Sequence, residues 1–248
     1  MLEKKIGFIG GGNMAKAIIG GLVNSGKIAP SNIWIFDRKP ETNQALAEQQ
    51  GINAAESAEA LAREVDILFG AVVSIAAGVT LDSLASVLGY DRKIIRAMPN
   101  TPSLVSEGMT SVTPNVLVEQ SETDEVVAIF ESFGKAEVVN EYLIHSVVGV
   151  SGSAPAYVFM FIEAMADAAV LGGMPRAQAY QFAAQAVKGS AQMVLETGKH
   201  PGELKDMVCS PGGTTIEAVK VLEEKGFRAA VIEAMQQCMA KSEKLSRG

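Results

Sequence analysis

A glycine-rich turn between a short apolar run and an amphipathic helix is the feature that most constrains the fold of this sequence. Residues Ile6–Ile9 are typical of a buried parallel strand, and apolar residues recur at helical spacing from Asn13 onward. Between them lies Gly10-x-Gly12-x-x-Ala15, which has the spacing of a dinucleotide-binding turn. The first glycine permits the tight turn, and the second lets the backbone approach a pyrophosphate at the helix N-terminus. The sequence therefore predicts a βαβ unit that binds a dinucleotide.

Strand and helix patterns alternate through residues 1–144, and only helical patterns follow. Apolar runs such as 33–36 and 93–98 alternate with helical segments such as 41–50, 81–88 and 122–133. This alternation predicts an α/β N-terminal Rossmann-like domain with a mostly parallel sheet. For residues 145–248 the sequence predicts an all-α helical domain, with helices over 158–171, 177–197, 215–224 and 228–244.

One stretch of the first domain does not follow this alternation. Residues 66–79 read DILFGAVVSIAAGV, beginning with a strand pattern at Asp66–Phe69, with no turn and no helix between apolar runs. Two neighbouring parallel strands need a connection of about a dozen or more residues. Either this stretch is one unusually long strand, or a crossover is absent from the sequence. A membrane-spanning segment is the weakest alternative, because the stretch is short and begins with a charge.

The second strand ends in Asp37-Arg38-Lys39, and these residues bear on cofactor choice. A carboxylate at this position hydrogen-bonds a ribose diol and favours NAD, whereas an adjacent arginine holds the 2′-phosphate of NADP. The two basic residues favour NADP(H), with NAD(H) left open. The alternative is a solvated turn before Pro40.

Three further loops have residues suited to ligands. Met98 and Asn100 end a strand, as do the small residues Ala76 and Ala77, and ligands of open α/β sheets bind beyond such carboxyl ends. The loop 209–215, CSPGGTT, precedes a helix and could bind a substrate carboxylate through backbone N–H groups. Each loop could also be an ordinary turn, the last one with a threonine N-cap.

Composition excludes several classes of function. The net charge is −7 and no run of Lys or Arg occurs, which argues against nucleic-acid binding. Two cysteines, Cys209 and Cys238, give neither a disulfide framework nor zinc-ligand spacing, so we expect a reducing compartment, the cytoplasm, and no metal. We interpret the separated His145 and His200 as structural or surface residues. We expect the apolar stretches to be too short or too glycine-rich to span a bilayer, and therefore no membrane contact.

Five segments of the sequence together resemble one enzyme family, the bacterial pyrroline-5-carboxylate reductases of proline biosynthesis. They are IGFIGGGNMAKAIIGGL, VSIAAGVTLDSLA, IIRAMPNTP, GVSGSAPAYVFMFIEAMADAAVLGGMPR and LKDMVCSPGGTTIEAVKVLEEKGFRAAV. The resemblance implies that the helical domain is a dimerisation domain, in a homodimer or a decameric ring of dimers. It also implies hydride transfer from NAD(P)H to the C=N bond of 1-pyrroline-5-carboxylate, giving L-proline.

The resemblance also implies roles for individual residues. Thr215 would be the catalytic residue, hydrogen-bonded to the ring nitrogen, within a loop that meets the cofactor of the other subunit. The substrate-binding residues would be Ser210, Gly212, Gly213, Thr214 and Thr215. The cofactor-binding residues would be Gly10, Gly12, Asn13, Met14, Arg38, Ala71, Val72, Ala76, Ala77, Met98 and Asn100.

The sequence departs from this family at one place. Related reductases follow the strand ending near Ala71 and Val72 with a Lys-Pro turn, a helix and another strand, whereas here Val72 is followed directly by Val73. About two dozen residues are therefore expected to be missing, at the point where the topology already requires a crossover.

Two other functions remain as alternatives. A β-hydroxyacid-type dehydrogenase shares the domain order, but such enzymes carry a catalytic lysine followed four residues later by asparagine, and Lys188 is followed there by Gln192. A non-catalytic NADP-sensing module would need the glycine turn but no substrate loop.

Overall fold

The computed structural model describes residues 4–65, 72–76 and 78–246. The chain packs as two compact units. The first comprises Met1–Ser153 together with Cys238–Gly248, and the second comprises Ala154–Gln237.

The first unit begins with a three-stranded parallel sheet. Its strands are β1 (Ile6–Ile9), β2 (Ile33–Phe36) and β3 (Asn53–Ala54), in the order β1-β2-β3. Helices α1 (Asn13–Ser25), α2 (Pro40–Gln50) and α3 (Ala58–Glu64) connect them or follow them. The predicted strands β1 and β2 have the expected bounds, whereas β3 was not predicted because two residues show no periodicity.

A second, four-stranded sheet lies in the same unit. Its strands are β4 (Val72–Ser74), β5 (Ile94–Met98), β6 (Gly108–Pro114) and β7 (Gly134–Val138), with α4 (Leu81–Leu88) and α5 (Gln120–Phe130) between them. All neighbours run parallel except β5 and β6, which run antiparallel. The mostly parallel sheet and the α/β fold class are thus confirmed.

The two sheets are not joined among the described residues. There β1 pairs only with β2, and β4 pairs only with β5. A cavity of about 100 Å³ lies between them, lined by the whole of β1, by Val73 and Ile75, and by Ile129 and Phe130 of α5. Across this apolar gap, the facing edges of β1 and β4 have backbone N–H and C=O groups without a ladder partner in the described ranges.

This gap decides between the two interpretations of residues 66–79. Val72 and Val73 are consecutive residues of β4, paired with Ile94 and Ile95, so the chain passes directly between them without a crossover. The expectation of one long strand is wrong for the described part, because β4 ends at Ser74 and a turn follows at Gly78. The strand predicted at Asp66–Phe69 lies outside the described residues.

The core of the first unit lies between the sheets and their helices. Ile19 and Leu22 of α1, Ile33 and Ile35 of β2, and Ile95 of β5 are completely buried. They belong to a continuous apolar cluster that continues into α5 and the turn after it. This helix-on-sheet arrangement holds the carboxyl ends of β1 and β2, and the glycine turn, in fixed positions.

The remainder of the chain is helical. It comprises α6 (Ile144–Val147), a π-helical turn (Val148–Gly152), α7 (Ala154–Leu171), α8 (Arg176–Thr197), α9 (Pro201–Val208), α10 (Thr214–Glu224) and α11 (Phe227–Ser246). Helices α7, α8, α10 and α11 each begin one to four residues before the predicted start, where the apolar period is not yet established. Helix α9 was not predicted, because its eight residues begin with Pro and Gly.

The helical segment 141–171 is longer and more apolar than the sequence analysis allowed. By length and composition it could cross a membrane, with a mean hydropathy of 1.5, so the expectation that every apolar stretch is too short was wrong. Its glycines do not interrupt the helical run, because the π-helical turn accommodates them. Only 6% of the most apolar window is buried within the chain, so this surface lacks an apolar partner in a single copy.

Candidate functional site

The glycine turn after β1 has the geometry that the fingerprint predicted. Gly10 has φ of 101°, a left-handed conformation that favours glycine, and its N–H donates to the carbonyl oxygen of Phe36 at 2.7 Å. A Cβ at Gly11 would overlap the methyl group of Thr42, so the close packing of this turn against α2 requires glycine at position 11. A Cβ at Gly12 would meet nothing within 4 Å. The open space beside Gly12 faces the N-terminus of α1, where backbone N–H groups attract an anion.

Asp37, which follows β2, is committed to the protein backbone. Its carboxylate accepts hydrogen bonds from the N–H of Gly11 at 2.7 Å and of Lys39 at 2.9 Å. These two N–H donors hold the pKa of the Asp37 carboxyl below its usual range, and the N–H of Gly11 has the larger effect. Asn43 bonds the backbone of Asp37 on both sides, accepting from its N–H at 2.6 Å. The carboxylate therefore organises the glycine turn, which reduces its capacity to bind a ribose diol.

The two basic residues next to Asp37 have a different environment. Arg38 and Lys39 are exposed, and the salt bridges among the described residues include neither of them. Helix α2 begins directly after them at Pro40. Two exposed cations beside the glycine turn, neither of them in a salt bridge of the described part of the chain, suit a phosphate group.

A cavity of about 870 Å³ lies within the first unit, at the carboxyl ends of β4 and β5. Met14 of α1 and Met98 of β5, two predicted site residues, both line it. The structure thus brings the first turn of α1 and the end of β5 to the same cavity. The lining also includes Ile75, Gly78, Val79, Ser83, Pro99, Val148, Gly152, Ser153, Cys238, Lys241, Ser242, Leu245 and Ser246.

Asn100 is held by protein groups at both ends of its side chain. Its Oδ1 accepts from the N–H of Met109 at 2.9 Å, and its Nδ2 donates to the carbonyl oxygen of Ser151 at 3.2 Å. The residue is 8% exposed. Asn100 thus fixes the π-helical turn against the end of β5.

The remaining predicted cofactor residues have varied positions. Asn13 is exposed in the first turn of α1. Ala76 follows the carboxyl end of β4, on the side of the sheet that bears Met98, whereas Val72 begins β4 at the opposite end. Ala71 and Ala77 lie outside the described residues.

The predicted substrate loop lies in the second unit, between α9 and α10. The N-cap of α10 is Gly213, not a threonine as the alternative interpretation expected, because the helix already begins at Thr214. Gly212 has φ of 66°, and the N–H of Gly213 donates to the carbonyl oxygen of Ser210 at 3.0 Å, which closes a tight turn. Thr215 is half-buried in the first helical turn, and no side chain caps this helix among the described residues.

Sequence reasoning missed part of the cavity wall. The π-helical turn and the last turns of α11 carry no recognisable ligand motif, and they reach the cavity only through long-range packing. There His145 Nδ1 lies 2.9 Å from Ser242 Oγ, and the Cys238 thiol donates to Ser153 Oγ at 3.2 Å. Among the described residues no group of three or more His, Cys, Asp or Glu side chains could hold a metal ion.

Two family models match this chain. Residues 141–245 match the model for pyrroline-5-carboxylate reductase dimerisation, and residues 5–98 match the model for NADP oxidoreductase, coenzyme F420-dependent. The first of these ranges holds the helical region, and the second holds strands β1 to β5; residues 99–140, with β6, α5 and β7, lie outside both matches.

Curated relatives and solved structures extend this similarity to the full length. A pyrroline-5-carboxylate reductase from Escherichia coli K12 is 67% identical over 268 aligned residues, covering 99% of this chain and 100% of that protein. The structure of a pyrroline-5-carboxylate reductase from Coxiella burnetii has a TM-score of 0.90 at 32% identity, covering 98% of each chain. A Plasmodium falciparum pyrroline carboxylate reductase, crystallised with NADP bound, has a TM-score of 0.86 at 30% identity over 99% of both chains.

The length of the alignment bears on the missing crossover. It has 268 positions whereas this chain has 248 residues, so at least 20 positions of the E. coli relative have no counterpart here. That number suffices for a crossover connection of about a dozen or more residues.

Proposed function

The chain belongs to the pyrroline-5-carboxylate reductase family, and from that premise we propose how its residues divide the work of reducing 1-pyrroline-5-carboxylate to L-proline. The reaction is that of an NAD(P)H-dependent oxidoreductase acting on a C=N bond. When bound, the cofactor supplies the hydride that adds to the C=N carbon, and the ring nitrogen retains a proton in the product. The family excludes the β-hydroxyacid-type dehydrogenase and the non-catalytic sensor as primary functions.

The observation that carries this proposal is the junction of the glycine turn with the 870 Å³ cavity. The α1 N-terminus offers N–H donors to a pyrophosphate beside Gly12, and Met14, two residues further along in the first turn of α1, lines the cavity. We assign the pyrophosphate to Gly10, Gly12 and Asn13, and the nicotinamide end to the cavity between Met14 and Met98. Proline-dependent reduction of NADP⁺ at high pH, followed at the absorbance of NADPH, tests the activity directly. A chain that binds NADPH but shows no such reduction would contradict it.

We assign the 2′-phosphate of NADP(H) to Arg38, with Lys39 beside it. The Asp37 carboxylate accepts the N–H groups of Gly11 and Lys39, which leaves it less able to bind the ribose diol that would favour NAD. The NADP bound to the Plasmodium relative agrees with this assignment. NAD(H) remains a usable but weaker cofactor.

Replacing Arg38 tests the cofactor assignment. In Arg38→Ala we expect kcat/KM with NADPH to fall about 10- to 30-fold, since a charge-assisted contact to phosphate contributes about 1.5–2 kcal/mol. The value with NADH should change by less than about twofold. Arg63→Ala is the matched control, because Arg63 is an exposed arginine of α3 that pairs only with Glu59 among the described salt bridges. Equal losses with both cofactors would contradict the assignment.

We propose that the loop before α10 binds the substrate carboxylate through backbone N–H groups. Ser210, Gly212 and Gly213 form the turn, and Thr214 and Thr215 provide the first N–H donors of the helix. We assign to the Thr215 hydroxyl the hydrogen bond to the ring nitrogen. A protonated imine is already electrophilic, so positioning and charge complementarity supply most of the rate, and no strong acid is required.

The two adjacent threonines allow a matched test of this assignment. We expect Thr215→Ala to lower kcat/KM for 1-pyrroline-5-carboxylate about 10- to 100-fold, the effect of one lost hydrogen bond to a charged group. Thr214→Ala keeps its backbone N–H and should retain activity within about threefold. Steady-state kinetics with both variants would measure the difference. Unchanged turnover and affinity in Thr215→Ala would refute its catalytic role.

We propose a cytoplasmic homo-oligomer, built from dimers and assembled as a decamer. Exposed apolar side chains of the second unit, among them Phe159, Met160 and Phe182, support self-association, and the matched dimerisation model covers them. The same surface accounts for the apolar segment 141–171 without a membrane. Both cysteines are free thiols, as a reducing compartment requires.

A further inference from the structure

Arg96 is a charged residue buried inside the first unit, behind the wall of the large cavity. It lies in β5, two residues before Met98, so both side chains are on the same face of the sheet. Its side chain is 2% exposed, and its Nη1 lies 3.0 Å from Oε1 of Glu141, which is 33% exposed. The Arg96 Nε finds no hydrogen-bond partner among the described residues.

The carboxylate of Glu141 joins a third element to this pair. Its Oε1 also accepts the backbone N–H of Leu81 at 2.7 Å, and Leu81 is the first residue of α4. One oxygen atom therefore ties together β5, the start of α4 and the start of the helical segment that leads to the π-helical turn. Residues on both sides of this junction line the cavity: Gly78, Val79 and Ser83 near α4, and Val148, Gly152 and Ser153 near the π-helical turn.

Stability alone does not account for a buried ion pair of this kind. The cost of removing two charges from water largely cancels their attraction, and replacement by apolar residues of similar volume is often neutral or stabilising. Here the pair also leaves one buried donor, Arg96 Nε, unsatisfied, which is unfavourable. Its distinctive property is geometric, since it fixes two cavity walls to one strand.

We propose that Arg96 and Glu141 are positioning residues that set the cavity walls for the nicotinamide end of the cofactor. Glu141 holds the N-terminus of α4, and Arg96 holds Glu141 in place from the sheet. The Asn100 contact with Ser151 fixes the other end of the same helical segment. This proposal rests on the proposed function, because it takes the cavity to be the cofactor site.

The experiment uses Glu141→Leu, Glu141→Gln and the double variant Arg96→Met with Glu141→Leu in the full-length protein. Glu141→Leu alone leaves the buried Arg96 charge unpaired and should lower thermal stability. In the double variant apolar side chains replace both charges, so thermal stability should return to near that of the parent. Leu81 would still lack its acceptor, so we expect KM for NADPH to rise about tenfold, with kcat at saturation within about twofold. Glu141→Gln retains an acceptor oxygen for the Leu81 N–H and for Arg96 Nη1, so its KM for NADPH should stay close to that of the parent.

Lys93→Met provides the matched control. Lys93 precedes β5 and bonds Glu122 of α5 at 2.8 Å, an ion pair whose residues do not line the cavity. This variant should lose some thermal stability, while KM for NADPH stays unchanged. A double variant that regains both stability and the parental KM would show that the Arg96–Glu141 pair is structural only, and would overturn the proposal.

Hydrogen exchange separates this proposal from the proposed function. Amide exchange over residues 81–84 should be faster in the double variant than in the parent or in Lys93→Met, whether or not the protein reduces the substrate. Unchanged exchange there would overturn the positioning role whatever the kinetics. If the parent shows no reductase activity while the exchange difference is present, the proposed function fails and the junction at Glu141 stands.

Discussion

Gly12→Asn is expected to weaken NADPH binding by about a hundredfold or more while leaving the fold intact. The substituted side chain would project into the open space beside α1, where a Cβ meets no protein atom within 4 Å. That space is the one that a pyrophosphate needs, and the side-chain amide would compete for the same N–H groups. Asparagine is also a favourable N-cap with the extended backbone of Gly12, whose φ is −69°. Thermal denaturation should therefore be unchanged, and NADPH fluorescence titration should show the loss.

The neighbouring glycine gives the opposite result and serves as the control. A Cβ at Gly11 would overlap the Thr42 methyl group, so Gly11→Ala should lower the free energy of unfolding by about 1–3 kcal/mol through overpacking. NADPH affinity of the folded fraction should change much less than in Gly12→Asn. If Gly12→Asn binds NADPH as tightly as the parent, the pyrophosphate does not lie at this turn.

Restoring the absent crossover is expected to have the second large effect. The change inserts, between Val72 and Val73, a segment of the E. coli relative of about the length by which its alignment exceeds this chain, at least 20 residues. A new strand would then pair with the edges of β1 and β4, which lie on either side of the small cavity, and would bury apolar side chains between them. After the ordering entropy is subtracted, we expect a net gain of about 3 kcal/mol. In a chain of this size that raises Tm by roughly 6–12 °C.

A linker of equal length made of Gly and Ser is the control for this insertion. It supplies the connection without apolar side chains, and it behaves as a flexible coil. Thermal denaturation and NADPH titration of both insertion variants would measure the difference, and we expect about tenfold tighter binding only with the relative's segment. Equal melting temperatures for the two insertions would show that the cavity is not the place of a missing strand.

The parts of the fold that the sequence predicts are those encoded locally. The strand β2 and the helix α4 have the predicted bounds, because periodicity within each segment defines them. The turn at Gly10 could also be predicted from the sequence, since its positive φ favours glycine. The missing crossover also left a trace, because topology forbids two adjacent parallel strands without a connection.

What could not be predicted depends on contacts between distant residues. The sequence around Arg96 gives no sign that this residue pairs with Glu141. Likewise, the sequence of the last turns of α11 does not indicate that they line the cavity with Met14. The choice between NAD and NADP remained open for the same reason. Asp37 could be assigned only when its carboxylate was seen to accept the N–H of Gly11, a residue 26 positions away.

The bonds that Asp37 and Asn43 make around the glycine turn also shape the kinetics of cofactor capture. These hydrogen bonds order the glycine turn before any cofactor binds, so the turn loses its conformational entropy during folding rather than during binding. Association then requires no slow rearrangement at the pyrophosphate end, so encounter and orientation govern its rate. Differences in affinity between NADPH and NADH would accordingly be expressed in how long each complex survives.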